Sequence, residues 1–337
     1  MPTALRKRCE ELIDELGLAD PAAISVVRPL TGGVASDIAM VEVEGQRLCI
    51  KFALPKLKVA EDWKAPVHRN KAEFEWLRVA ADIAPESAVK VFGRSEENHG
   101  FAMEFLAGDD VFLWKSDLLE GRRIPSRANL VGNLLGSIHA ASTRPGFETA
   151  PFQNRDDFYA LRIEPYLVFT AKKKAEVAEQ LTALANRLYE TETVLVHGDV
   201  SPKNILFKGK QPVVLDAECA TMGAPEFDVA FCLNHLILKA QHVPTLRPAL
   251  AADLEEFWSA YAAHVSWETP ERIERRTAEL LPALMLARID GKSPVEYLDE
   301  SSRLTIREAS IALLKKPKTK IGEIAETFAQ TWKGNSR

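Results

Sequence analysis

The segment His197-Gly198-Asp199-Val200-Ser201-Pro202-Lys203-Asn204 sets an acid five residues ahead of an amide, and Asp216-Ala217-Glu218 begins twelve residues after Asn204. These residue types at these spacings suit phosphoryl transfer from a metal-bound nucleotide. Asp199 can accept the proton of an attacking hydroxyl. Asn204 and Asp216 can hold Mg²⁺ against phosphates. The apolar runs Val194-Leu195-Val196, Ile205-Leu206-Phe207 and Pro212-Val213-Val214-Leu215 read as short strands, so each polar residue stands where a strand gives way to a loop. Any one of these pieces fits an ordinary strand–turn–strand. Their ordered occurrence within about forty residues argues for a site.

The Asp-to-Asn spacing equals that of the protein-kinase catalytic loop, H-R-D-L-x-x-x-N, with Gly198 at the Arg position and Asp216-Ala217-Glu218 in place of D-F-G. The pattern H-G-D-x-x-x-x-N, an apolar strand and D-x-E resembles the aminoglycoside phosphotransferase and choline kinase group of small-molecule kinases. Gly223-Ala224-Pro225-Glu226-Phe227-Asp228-Val229-Ala230 looks like that group's usual continuation. The resemblance spans roughly residues 25 to 240. It implies a bilobal protein-kinase-like fold and the use of ATP and Mg²⁺. It also implies that Phe101 to Gly108 is a hinge at which the backbones of Glu104 and Leu106 contact adenine. Within the group, Ala53-Leu54-Pro55, the loop bearing Trp63 and Pro66, and Arg69 four residues before Glu73 look like the corresponding loop of methylthioribose kinases, and Arg288 stands where those enzymes carry substrate-side arginines. Asn204 and the residues after Asp216 read instead like the general group.

The nucleotide side needs a cation and a means of fixing it. Lys51 ends a strand, and Glu73, early in the next helix, is its expected partner; Glu75, two positions on, turns to another face. The turn Thr31-Gly32-Gly33-Val34-Ala35-Ser36 can bring backbone N–H groups and the Ser36 hydroxyl near phosphates. It is not a Walker A loop, because no G-K-[ST] follows, so Gly32 and Gly33 matter only in combination with Lys51.

The elements that position these residues follow from periodicity. An amphipathic helix is expected over 4–17, then strands at Ile24–Leu30, Asp37–Val43, Arg47–Phe52, Val89–Phe92 and Phe101–Phe105, with a helix at 67–82. After Gly108 helices are expected at 126–141, 172–190, 225–240, 249–264, 270–288, 301–314 and 319–332. A β-rich front and a helical back define an α+β protein. The expected division is a nucleotide-binding lobe at 1–107 and a helical lobe with the catalytic loop at 108–337.

Composition agrees. A chain of 337 residues with 46% hydrophobic and 27% charged residues is ordinary for a globular protein of two units or lobes. Its net charge of −5 argues against a nucleic-acid partner. Cys9, Cys49, Cys219 and Cys232 form no C-x-x-C pair and are expected to be buried free thiols. No apolar run reaches bilayer-spanning length and the first residues lack a signal-peptide core, so a cytoplasmic location without membrane attachment is expected.

On the acceptor side, Asp228, Arg288 and Asp290 are the candidate substrate residues. Arg288 to Glu296 also reads as a helix C-cap, and Asp228 also as a support of the catalytic loop. His139 is expected to be a packed histidine and His197 a brace for the catalytic turn. The expected activity is ATP- and Mg²⁺-dependent phosphorylation of a small hydroxylated metabolite such as a sugar, polyol or amino-alcohol. The rivals are an aminoglycoside-modifying enzyme, which requires an acidic pocket for a polycation, and a non-catalytic nucleotide-binding module. A protein kinase is disfavoured by the missing Arg before Asp199 and the missing A-P-E. Oligomeric state is not legible.

Overall fold

The computed structural model describes residues 2–30, 36–55 and 66–334; Gly32, Gly33 and Trp63 lie outside the described residues. Helix α1 (Pro2–Glu15) leads into strands β1 (Ile24–Pro29), β2 (Ser36–Val43) and β3 (Gln46–Ala53), then α2 (Arg69–Ile83), β4 (Val91–Ser95) and β5 (Gly100–Glu104). The five strands form one antiparallel sheet in the order β1-β2-β3-β5-β4. Glu44 and Gly45, at φ 50° and 77°, make the tight turn between β2 and β3, a conformation that suits the twist of a two-residue hairpin.

The pleat of β3 decides what each face meets. Leu48, Ile50 and Phe52 pack with Cys9, Leu12 and Ile13 of α1. Cys49 lies on the other face, in the core that holds Ala72, Trp76 and Leu77 of α2. Alternation therefore turns Lys51, like Cys49, toward α2.

The chain leaves the sheet after β5, and β6 (Val111–Leu113) already pairs with β8 (Ile205–Lys208) of the second region. That region continues through α3 (Trp114–Leu119), α4 (Arg127–Ser142), α5 (Arg155–Phe158), α6 (Phe169–Lys173) and α7 (Ala178–Glu190). Strand β7 (Val194–Val196) pairs with β10 (Thr221–Gly223), and β8 with β9 (Gln211–Val214). Helices α8 (Pro225–His242), α9 (Leu250–Ala262), α10 (Pro270–Asp290), α11 (Glu300–Lys315) and α12 (Ile321–Gly334) complete it. Proline opens α8 and α10 at a position whose N–H has no helical partner anyway, and the Asp299 carboxylate caps α11 by accepting from Ser302 N–H at 2.8 Å.

An antiparallel sheet followed by a mostly helical body is the α+β arrangement expected. One expected helix differs. The stretch 172–190 is broken into α6, a turn at Ala175–Val177 and α7, and it is preceded by a π-helical segment, Tyr159–Val168, that contains Pro165. A π-helix moves apolar positions off the 3.6-residue repeat, which is why periodicity passes over it. All four cysteines are free and buried. No helix among the described residues is long and apolar enough to cross a membrane.

Candidate active site

Strand β7 is wholly buried and delivers His197 into the interior. The His197 ring accepts from Asp199 N–H at its Nδ1 (3.1 Å) and donates from Nε2 to the Leu215 carbonyl (3.2 Å). Trp76 stands edge-on to the ring at 4.7 Å. Burial holds the imidazole below its usual pKa, so it is neutral, with one nitrogen accepting and the other donating. Gly198 stands at φ 81°, and a Cβ there would lie 2.8 Å from Cys219 Cβ, so the turn requires glycine. Asp228, at the start of α8, accepts His197 N–H at 2.6 Å and Gly198 N–H at 2.9 Å, one on each oxygen. His139 reaches the same carboxylate at 3.4 Å and meets the Tyr261 hydroxyl at 2.9 Å through its other nitrogen.

On this base sits Asp199. Its Oδ2 meets Arg162 and Lys203, each at 3.0 Å, and Oδ1 has no partner among the described residues. Burial opposes ionisation, but the Lys203 ammonium and the Arg162 guanidinium outweigh it and hold the carboxyl below the usual range. Arg162 also donates to the Gly198 carbonyl at 2.5 Å. Asn204 closes the loop by donating from Nδ2 to the Asp199 backbone oxygen at 3.0 Å, which leaves its side-chain oxygen as a ligand atom.

Across from Asp199 is a second charged group. The Lys51 ammonium meets Glu73 at 2.7 Å, Glu218 at 3.0 Å and Asp216. Lys51, Glu73 and Glu218 are buried, while Asp216 is more open. Burial pushes the Glu73 carboxyl up, to about 8, against the pull of Lys51. Burial acts against the Lys51 charge, yet the surrounding carboxylates raise its pKa. Glu218 also accepts from Ser36 Oγ at 2.5 Å and from Arg69 Nε at 2.8 Å. Arg69 donates further to the carbonyls of Pro66 (2.7 Å) and Leu54 (2.8 Å). Oxygens of Glu73, Asp216 and Glu218 lie within 4.8 Å of one another. Asp216 holds φ 71°, a left-handed conformation that costs a non-glycine residue about 1 kcal/mol and that Asp tolerates better than most.

The structure thus brings Lys51, Glu73, Ser36, Asp199, Asn204 and Asp216 into two facing groups. At the expected hinge, Glu104 commits its N–H to the Lys90 carbonyl (2.7 Å), and its carboxylate meets Lys208 at 3.2 Å. Leu106 is half-buried against the core. Arg288 lines a cavity of about 100 Å³ together with Ser201 and Lys203 of the H-G-D-x-x-x-x-N loop.

Two expected substrate residues are placed elsewhere. Asp228 is fully buried with both oxygens taken by the loop it supports. Asp290 accepts from Arg307 at 2.8 and 3.0 Å and pairs with Lys174 at 3.0 Å, tying α10 to α11 and α6. Sequence reasoning also missed residues that count. Arg162 lies in the π-helical segment, where no motif marks it. Lys203 is inside the motif but at a position the chemistry does not dictate. Lys115, His235 and Lys239, which line the same cavity as Arg288, come from helices distant in sequence.

A five-stranded antiparallel sheet over a helical body, with a Lys–Glu pair facing an H-G-D-x-x-x-x-N loop and a D-x-E turn, defines a protein-kinase-like fold of the small-molecule phosphotransferase type. The profile of the phosphotransferase enzyme family, APH, matches residues 26–264, and the chain belongs to that family. A methylthioribose kinase of Bacillus cereus (strain AH187) is 24% identical over 244 residues; the match covers 64% of this chain, and this chain spans 61% of that relative's length. Among solved structures, choline kinase from Streptococcus pneumoniae is similar with a TM-score of 0.54 at 17% identity, over 93% of this chain and 99% of that one. An amicoumacin kinase bound to AMP-PNP, Ca²⁺ and Ami gives a TM-score of 0.57 at 10% identity, over 97% and 99% of the two chains. At these identities the structural likeness is one of fold.

Proposed function

We propose that the protein is an ATP- and Mg²⁺-dependent kinase that transfers the γ-phosphoryl group to a hydroxyl of a small metabolite, of the sugar or polyol kind. The carrying observation is Asp199, whose Oδ1 is free for a hydroxyl while two cations hold Oδ2, opposite a lysine surrounded by three carboxylates.

The donor set fits a hard divalent cation. Asp216 offers a carboxylate and Asn204 an amide oxygen, both of them the oxygen donors such an ion takes. Asn204 and Asp216 would hold the ion. When bound there, the ion would supply positive charge against the charge that develops on the phosphates.

The chain's own residues supply alignment. Lys51, fixed by Glu73, holds the α- and β-phosphates. The acceptor hydroxyl donates to Asp199 Oδ1; its oxygen bonds to the γ-phosphorus as the bond to the bridging oxygen breaks, and its proton passes to Asp199. With its pKa depressed, Asp199 is a weak proton acceptor before bond formation. Its main task is to aim the hydroxyl, which a loose transition state demands. Gly198 and Asp228 keep that aim. Lysines and an arginine outnumber the one carboxylate in the cavity beside the loop, so a polycationic acceptor such as an aminoglycoside meets like charge there.

Asp199→Asn is expected to lower turnover by about 10²–10⁴ while Mg-ATP still binds, because the carboxylate serves the hydroxyl and not the nucleotide. ADP release over a panel of hydroxylated acceptors, with calorimetric titration of Mg-ATP, checks this. Wild-type turnover in the variant would sink the assignment.

A further inference from the structure

The cavity beside the catalytic loop has an unusual charge balance. Lys115 of α3, Lys203 of the loop, His235 and Lys239 of α8 and Arg288 of α10 converge on it, with Glu296 the single carboxylate. Some of these cations have partners. Lys203 meets Asp199 at 3.0 Å, and Lys115 meets the exposed Glu296 at 3.2 Å. Arg288 donates to Ser293 Oγ at 2.8 Å and to the Tyr166 hydroxyl at 3.4 Å.

Lys239 is different. It is 2% exposed, and its ammonium has no carboxylate and no hydrogen-bond acceptor among the described residues. The ammonium stands over the Tyr297 ring, 5.3 Å from its centre. A buried, uncompensated cation on a rigid helix is costly, and proteins keep such groups where a ligand completes them. His235, one turn earlier on the same face, is also buried and without a hydrogen-bond partner among the described residues.

Resting on the kinase reading above, we propose that the phosphoryl acceptor carries an anionic group, a carboxylate or a phosphate, and that this group seats against Lys239 and Arg288 while the acceptor's hydroxyl reaches Asp199. The reach is set by the walls. Ser201 and Lys203 line the cavity, and Lys203 reaches Asp199 Oδ2 at 3.0 Å, so a molecule seated at Lys239 is one side chain away from the Asp199 carboxylate. A volume of about 100 Å³ suits an acid group with a few carbons. The guanidinium and the ammonium together suit the spread oxygens of either anion.

Titration supports the geometry. Burial, with the Lys115 and Arg288 charges, pushes the Lys239 ammonium down to about 7, only partly offset by Glu296. Burial and the neighbouring Lys239 and Arg288 also hold His235 well below its usual pKa, so it is neutral. An anion reverses the balance at Lys239 and favours the charged form. Binding above pH 7 therefore takes up a proton, and acceptor affinity falls as pH rises through that value.

The test is an ADP-release screen with products identified by mass spectrometry. Its sets are hydroxy and sugar acids, sugar phosphates, neutral sugars and polyols, and aminoglycosides with simple amino-alcohols. Turnover confined to the acids or to the sugar phosphates is expected, and whichever set responds tells carboxylate from phosphate. Neutral or cationic acceptors used as well as anionic ones overturn the inference and leave the kinase reading intact. Lys239→Met, of similar length, is expected to raise the acceptor KM roughly 10- to 100-fold with little change in kcat or in the KM for ATP. An unchanged acceptor KM overturns the proposal. The variant loses a buried charge, so its Tm is expected to equal or exceed that of the wild type. Silence across all four sets overturns the kinase reading instead. The seat is then judged by calorimetry with inorganic phosphate and with acetate: binding of either that is lost in Lys239→Met upholds it, and no binding of either overturns it.

Discussion

Asp199 shows how neighbours set a carboxylate's role. It is buried, which alone raises a carboxyl pKa, yet Lys203 and Arg162 at 3.0 Å reverse the sign. A group with a depressed folded pKa stays ionised until the pH falls below its ordinary value, so the acid limb of the pH–rate profile is expected below pH 3.8. Removing one cation moves that limb upward. Lys203→Met is therefore expected to shift the acid limb of kcat toward higher pH, with Arg162 still limiting the shift. A pH–rate profile of both proteins decides it; coincident acid limbs would mean that Lys203 does not act on Asp199. The motif predicts Asp199 and Asn204 from residue type and spacing. It cannot predict Arg162, because an arginine in a segment without recognisable period carries no local mark of the carboxylate that it will meet.

Helix α8 does the work of a ruler. Asp228, His235 and Lys239 lie seven and four residues apart, hence on one face. Asp228 holds the catalytic turn, and Lys239, about 16 Å along the axis by helical rise, stands at the cavity. Asp228→Asn leaves one oxygen for two backbone N–H groups and turns an amide N–H toward the other. It is expected to destabilise the protein by about 2–3 kcal/mol and to lower kcat more than either KM. Thermal melts and steady-state kinetics on the purified variant check this; a variant with wild-type Tm and kcat and a raised acceptor KM would return Asp228 to the substrate residues. Strand β3 makes a parallel point. Its pleat puts Lys51 on the α2 side, and a register slip of one residue would turn the lysine toward α1, away from Glu73. Alternation is legible in the sequence; which face α2 covers is not.

At the scale of the whole molecule, the sheet and the helical body are joined through charge. Ser36 and Arg69 meet Glu218, and Lys51 meets Asp216, across separations of 182, 149 and 165 residues. Because Asp216 and Asn204 offer oxygen donors for the ion, Mg²⁺ with nucleotide is expected to raise Tm by a few degrees, from about 2.7 kcal/mol when free ligand exceeds Kd a hundredfold. Chelation of the metal should abolish most of that gain, Asp216→Ala should remove it, and Asn204→Ala should only reduce it, since the amide carries no charge. Differential scanning calorimetry with and without chelator is the measurement, and a gain indifferent to the chelator would refute the metal assignment.

Local chemistry is legible along the chain. Periodicity sets the sheet-then-helix order, and residue types at fixed spacing set the catalytic loop, the D-x-E turn and the lysine with its glutamate. Those signals are short-range, written within a strand, a turn or a few helical turns. The tertiary structure alone decided which charges meet. It took Asp228 from the acceptor to the underside of the loop and tied Asp290 to Arg307. It also gathered Lys115, His235, Lys239 and Arg288 from three helices around one cavity. Coulombic and hydrogen-bonding partners are chosen by distance in space, and burial multiplies their strength. Neither quantity exists until the chain is packed.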